Sequence, residues 1–488
     1  MIFPDGISRL SGASSTLLIL ATLPVGIIVS FWAYNYWRVF NLKRQRLGVP
    51  VINLKDGDYE AAAKEYFTDA EALLKRGHKD YKHGIYQRMI GDYKFTRLGD
   101  TLGFHTVLKD LTQKFWGMLP ELEEEISYAM RTELPDCKEW TAVTIQPKIL
   151  RIVALVTGRV FVGSELNRNE EWIATSCGFM KDIYAAGAGV FSYSHLMRPF
   201  AARFLVPAVK RVWAHEATGQ RLLIPIMKKR KRRELTDPNY QKPNDWMQWL
   251  MDNNDKEENP HTLEELVHVH LLLCFAALHT STMAVTHLLF DLAARQEYIE
   301  PLREEQIAVA RDFDGEHSKN SYLKMVKMDS FVKESQRHSP PSMLTYARLV
   351  MKEFTLSNGL RFKPGDYLVI PAGPISMDDE SWEDAEEFRG FRFAELRGKT
   401  KEDSHKYQYA TVAPNALHFG HGRLACPGRF FAGYEFKAIT ARFIDNFDIK
   451  LVDEKAGRPK NTTAGAAVLL DGSLQLLFKK RKAVLTEI

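Results

Sequence analysis

The chain has 488 residues, 45% hydrophobic and 26% charged, which is the balance of a globular protein with room for a large core and an enclosed cofactor. Its 66 Lys and Arg against 61 Asp and Glu leave a formal charge of +5, too weak to argue for a nucleic-acid partner. The four cysteines, Cys137, Cys177, Cys274 and Cys426, lie far apart with no CxxC pair, which excludes a disulfide framework and a zinc pattern and points to a reducing compartment.

From Ser11 to Trp37 the chain carries no charge, and its apolar centre is long enough to span a bilayer. Trp32, Tyr34, Tyr36 and Trp37 close the run as an interfacial belt would, and Arg38, Lys43, Arg44 and Arg46 follow, placing the C-terminal bulk in the cytosol. A cleaved signal peptide competes with this reading, but the run has no basic n-region and no A-x-A site after it. A linker, Leu47 to Asp56, leads to charged and apolar residues mixed at helical spacing from Tyr59 to Ile90. Leu102 to Met130 reads as two amphipathic helices, with Pro120 near the start of the second and His105 and Lys109 one turn apart on one face of the first.

Val143 to Glu165 reads as a buried helix, and Ala186 to Met227 is rich in aromatic and aliphatic residues. Lys228 to Arg233 are all basic, which suits either a solvated helix end or a patch touching anionic lipid. Pro238 and Pro243 mark a surface loop. Thr262 and Glu265 then form a capping box that opens an apolar helix running to about Ala294. Glu334 and Arg337 stand three apart on a further helix, and Tyr346 to Pro371 reads as strands around two turn signals. Near the end, ALHFGHGRLACPGRFFAGYE is a Gly-rich loop that delivers Cys426 to the start of a helix. Glycines permit close backbone approach to a flat object, and a helix N-terminus favours a thiolate. The tail from Phe443 to Lys479 reads as strand and turn.

This loop resembles the haem-binding loop of the cytochrome P450 family, F-x-x-G-x-[RH]-x-C-x-G, with Phe419, Gly422, Cys426 and Gly428 in register. The resemblance makes Cys426 the axial thiolate of a haem b. Two places before the cysteine, where the family has Arg or His for a haem propionate, this chain has Leu424, and Arg423 is the substitute one place earlier. His105 and Lys109 resemble the family's W/H-x-x-x-R pair, and Arg348 its propionate-binding strand residue. FAALHTS aligns with [AG]-G-x-[DE]-T-[TS], so Thr280 is the expected oxygen-site hydroxyl. His279 takes the place of the usual acid, either relaying protons or pointing away to bond a carbonyl. Glu334 and Arg337 are the family's E-x-x-R pair, locked by Arg392, or by Arg389 in its stead, behind the cysteine loop. ELNRNEEW and NDWMQWL resemble stretches of filamentous-fungal members, and in the family the region around Ala186 to Met227 is a lid that leans on the membrane.

The expected architecture is therefore mainly α with a small β part, the cytochrome P450 fold with one N-terminal transmembrane helix. Residues 1–46 would be the membrane anchor and its basic flank, and 47–488 a cytosolic haem-thiolate domain. The resemblance implies monooxygenation of a hydrophobic secondary-metabolite intermediate of terpenoid, indole-diterpene or polyketide type. Electrons would come from NADPH through cytochrome P450 reductase, with cytochrome b5 as a further partner, at the endoplasmic reticulum membrane. Rearrangement, desaturation or ring expansion at the same centre is the alternative chemistry, and a membrane-tethered haem protein without turnover is the alternative from another class.

Overall fold

The computed structural model describes residues 101–482, apart from 195, 196 and 358. The anchor, the linker and the Tyr59–Ile90 segment lie outside the described residues. Residues 349–367 belong to a separate compact unit and hold a hairpin in which Phe354 faces Phe362 with the two rings stacked 5.3 Å apart. The remainder is mostly helical with a small sheet, as its residue patterns require.

Helical residues run from Thr101 to Met118 through a π turn at Val107–Leu111, and α1 (Leu119–Glu133) follows with Pro120 in its first turn, where a missing N–H costs nothing. Strand β1 (Thr141–Thr144) leads into α2 (Ile145–Phe161), then α3 (Glu170–Phe191), α4 (Pro207–Thr236) and α5 (Trp246–Asn254). Asn169 and Asp245 cap α3 and α5 by accepting from Trp172 N and Gln248 N. Strands β2 (Phe447–Leu451) and β3 (Gln475–Lys480) close the sheet, in which β3 lies between β1 and β2 and both pairings are antiparallel. The expected strand from Phe443 starts four residues later, because the last helix continues to Asn446.

The longest element is α6 (Leu263–Ala294), opened by the full Thr262–Glu265 capping box. It is apolar and long enough to cross a membrane, yet half of its most apolar window is buried inside the protein, where it packs on α2, α3 and α4. Two of its faces differ. Leu278 and Ser281 are buried, whereas Ala276 and Thr280, one turn apart, are open.

The basic run Lys228–Arg233 is the last stretch of α4, and most of it is paired. Arg230, 3% exposed, grips Asp245 through two bonds of 2.7 Å and meets Glu165 at 2.8 Å, while Lys231 meets Asp255 at 2.5 Å and Arg233 meets Asp237 at 3.4 Å. Carboxylates far away in sequence thus occupy much of the charge that a lipid headgroup would need. Gly163 (φ 71°) sits against this pair, and a Cβ there would drive into Asp245. Removing one partner of a buried pair typically costs about 3–5 kcal/mol. Asp245→Ala, which also loses the α5 cap, should therefore lower the thermal midpoint sharply in calorimetry, and a midpoint within one degree of wild type would contradict this account.

Candidate active site

The cysteine loop is shaped by two left-handed glycines, Gly420 (φ 71°) and Gly422 (φ 70°), a conformation that costs other residues their Cβ clearance. The backbone folds back so that Cys426 N donates to Phe419 O at 2.8 Å and Ala425 N to Gly422 O at 3.1 Å. Helix α9, Arg429–Asn446, starts directly afterwards (α7 is Ile299–Asp312 and α8 is Val326–His338). Burial pushes the Cys426 thiol up, while the backbone N–H groups of Gly428 and Arg429 and the Arg429 charge favour its anion. Arg429, which the sequence pattern did not single out, donates to Cys426 O at 2.8 Å and to Ala410 O at 3.1 Å, clamping the loop. On the opposite side Thr112 Oγ1 reaches Pro427 O at 3.5 Å and brings the Thr101–Met118 helix alongside.

A carboxylate organises the ground behind the loop. Glu334 on α8 is fully buried, as Arg337 and Arg392 nearly are. Arg337 binds it with Nε at 2.9 Å and Nη2 at 2.8 Å, Arg392 adds Nε at 3.2 Å, and the Arg389 backbone N–H adds a bond at 2.9 Å. Arg392 thus supplies the second guanidinium, and that of Arg389 turns to Glu395 at 2.8 Å. Burial raises the Glu334 pKa, but bonds from Arg337 and His338, the Arg337 charge and the Arg389 N–H hold it at about 2. The two arginines spend their other donors on main-chain carbonyls. Arg337 binds Ser376 O at 2.9 Å and Ala385 O at 2.5 Å, and Arg392 binds Glu383 O, Asp384 O at 3.0 Å and Glu387 O at 2.9 Å.

Tyr409 carries this order to the cysteine. Its hydroxyl donates to Gln336 on α8, its N–H donates to Asp329 at 2.8 Å, and its ring meets the Phe419 ring at 5.2 Å. Phe419 is the residue whose carbonyl receives the Cys426 N–H. Nearby Lys333, buried on α8, donates to Gln408 O at 2.8 Å, and burial pulls its pKa down to about 8.

The open face of α6 presents Thr280, whose hydroxyl donates to Ala276 O at 2.7 Å. Of the two orientations expected for His279, relaying protons or pointing away to bond a carbonyl, its ring takes the second. Its Nε2 lies 2.9 Å from the Cys177 carbonyl on α3, so that nitrogen carries the hydrogen and ties α6 to α3. The residue next to Thr280 differs from it by about 100° around the helix, which is why its ring points elsewhere. His105, Lys109 and Arg423 are exposed, and Arg348 bonds the neighbouring Ala347 carbonyl at 2.8 Å with its guanidinium 4.3 Å from the Tyr346 ring.

The donor set tells what the loop could hold. Among the described residues there is no group of three or more His, Cys, Asp or Glu that could bind a bare metal ion. One thiol on a glycine loop therefore suits a metal that arrives with its other ligands in place. A Cβ at Gly422 or Gly428 would meet nothing within 4 Å, so the loop presents open space at both glycines. These features fit a flat metal macrocycle.

The comparisons agree. A family model described as Cytochrome P450 matches residues 71–478. The chain is 32% identical to cytochrome P450 monooxygenase braC of Annulohypoxylon truncatum, over 96% of this chain and 98% of that protein. It is 38% identical to cytochrome P450 monooxygenase olcJ of Penicillium canescens, over 77% of this chain and 70% of that one. Identity to cytochrome P450 monooxygenase paxP of Penicillium paxilli is 35%, over 80% and 75%. Among solved structures, retinoic acid bound cyanobacterial CYP120A1 has the same fold, with a TM-score of 0.62 at 19% identity over 86% of this chain and 96% of that one.

The Glu334 geometry makes a pH prediction. Its folded pKa lies below the unfolded value, so its stabilisation is present above about pH 4.5 and is lost as pH falls toward about 2. A shift of that size is worth about 3 kcal/mol. The stability gap between wild type and Glu334→Gln in urea titrations should shrink across that window, and a gap independent of pH would contradict it.

Proposed function

The chain belongs to the cytochrome P450 family, and from that premise we propose that Cys426 is the cysteine whose thiolate ligates the haem b on which the family depends. It is a monooxygenase, as its relatives are. The observation that carries the assignment is the loop itself, in which Cys426 N is tied to Phe419 O at 2.8 Å while two N–H groups and Arg429 favour the thiolate. When bound, the haem supplies oxygen activation with electrons from a redox partner, here read as cytochrome P450 reductase using NADPH, with cytochrome b5 as a second donor.

The chain's own residues then have separate tasks. Gly422 and Gly428 let the backbone approach the ring, and Glu334, Arg337 and Arg392 form one structural unit that fixes the ground behind Tyr409, Phe419 and the cysteine. Thr280 holds a hydroxyl on the open face of α6, where a proton must be delivered during oxygen activation. Arg423, Arg348, His105 and Lys109 are the cations assigned to the haem propionates. His279 is assigned to the α3–α6 contact.

The substrate is read as a hydrophobic secondary-metabolite intermediate. Apolar residues of the lid region, with Phe200, Phe204 and Trp213 exposed, and likeness to fungal monooxygenases support that class. The same exposed rings suit contact with membrane lipid. The charge-free run 11–37 and its basic flank support a single-pass anchor, with residues 47–488 as the cytosolic catalytic domain at the endoplasmic reticulum.

Expression in a host with a fungal reductase and the neighbouring biosynthetic genes tests this reading. A product heavier than its precursor by one oxygen atom is expected, and a product of unchanged mass would favour rearrangement instead. In the same system Thr280→Ala should consume NADPH at the wild-type rate while releasing peroxide, with product lowered about 10²-fold or more, the usual scale of a lost proton-transfer group. His279→Ala should keep wild-type coupling, because its ring serves packing. Unchanged coupling in Thr280→Ala would remove the hydroxyl from the oxygen site.

A further inference from the structure

Glu435 is fully buried on α9, nine positions after Cys426, and among the described residues no cation is paired with it. One oxygen accepts instead from the hydroxyl of Thr157 on α2 at 2.7 Å, and the hydroxyl of Ser281 on α6, the residue after Thr280, stabilises the charged form from nearby. The charged groups on the surrounding elements are engaged elsewhere. On α9 itself, Lys437 bonds Asp329 and Arg442 bonds Glu123 of α1. On α6, Asp291 binds Arg295 and Arg458, and His287 accepts from Arg458. On α2, Arg151 holds Glu133 and Glu170, and Arg159 lines a surface pocket with Glu165 and Asp245. On α7, Arg303 meets Asp448 and Glu305 accepts two backbone N–H groups, while on α8 Lys333 serves Gln408.

A carboxyl in that setting is poised between its two forms. Burial raises its pKa, the hydroxyls restrain it, and the balance stands at about 7. At ~1.5 Å per residue Glu435 stands about 9 Å along α9 from the helix start, and a charge placed a further ~3 Å beyond that start, about 12 Å in all, sets the scale of the effect. Coulomb's law at an effective dielectric of about 20 makes one added negative charge worth about a tenfold rise in its proton affinity.

We propose that Glu435 takes up a proton from solvent when the haem–thiolate unit gains an electron from the redox partner, so that electron entry is accompanied by charge compensation inside the α2–α6–α9 core. Each electron that enters the haem–thiolate unit protonates up to about half of the carboxylates, the most that a tenfold rise in affinity allows, and each proton taken up turns one carboxylate into a carboxylic acid with no other bond made or broken. The proposal rests on Cys426 as the ligand.

The test is a spectroelectrochemical titration of the full-length, haem-loaded protein from pH 6 to 9, with infrared difference spectra taken on reduction. Wild type should show a midpoint potential that falls with rising pH between about 7 and about 8 and levels off on either side. A protonated-carboxyl band should appear on reduction. Glu435→Gln should abolish both the slope in that window and the band. Ser281→Ala and Thr157→Val, which remove donors to the carboxylate, should move the slope to higher pH, and they carry the test if Glu435→Gln does not hold haem. The same slope and band in Glu435→Gln, or a slope unmoved in both hydroxyl variants, would overturn the proposal. A wild-type protein lacking the thiolate-type spectrum with carbon monoxide would instead strike at the ligand assignment, so the two failures are distinguishable.

Discussion

A carboxylate removed from water is tolerated only when every lone pair is met, because its desolvation costs several kcal/mol. Glu334 meets that condition with four N–H groups from Arg337, Arg392 and the Arg389 backbone. The same two guanidinium groups bind carbonyls between Ser376 and Glu387, so one charge cluster fixes a stretch of irregular chain that has little regular structure of its own. Planar, forked donors suit this work, since each guanidinium can serve a carboxylate and several carbonyls at once. Order then passes through α8 to Tyr409 and Phe419, and so to the amide of Cys426.

The second framework is α6, which packs on α9. Its buried face binds the core, its His279 ties it to α3, and its open face leaves Ala276 and Thr280 available. A thiol loop held from behind and a hydroxyl-bearing helix held from the side suit the proposed chemistry, which asks for a fixed ligand and a fixed proton route. Glu435, buried on α9 against α2, has no counter-cation among the described residues.

How much of this could be read from the residues depended on range in sequence. The loop was legible because positive φ at two positions demands glycine, and because the helix follows the cysteine at once. The α6 boundaries were legible because the capping box and the apolar run are local signals, and the spacing of Glu334 and Arg337 is local as well. The partner of His279 was not, since Cys177 lies 102 residues away and offers only a backbone carbonyl. Tyr409 and Glu435 escaped for the same reason: their partners come from other helices, and nothing in their own neighbourhood marks them. The basic run was ambiguous until Glu165, Asp245 and Asp255 were seen beside it.

The central claim is that one thiolate, Cys426, holds the haem iron. The most direct measurement is the carbon-monoxide difference spectrum of the reduced protein and of Cys426→Ser. Thiolate ligation predicts a strongly red-shifted Soret band in the wild type and its loss in the variant, whereas Cys137→Ser, Cys177→Ser and Cys274→Ser should each retain it. A Cys426→Ser protein that keeps the red-shifted band would contradict the assignment and the account built on it.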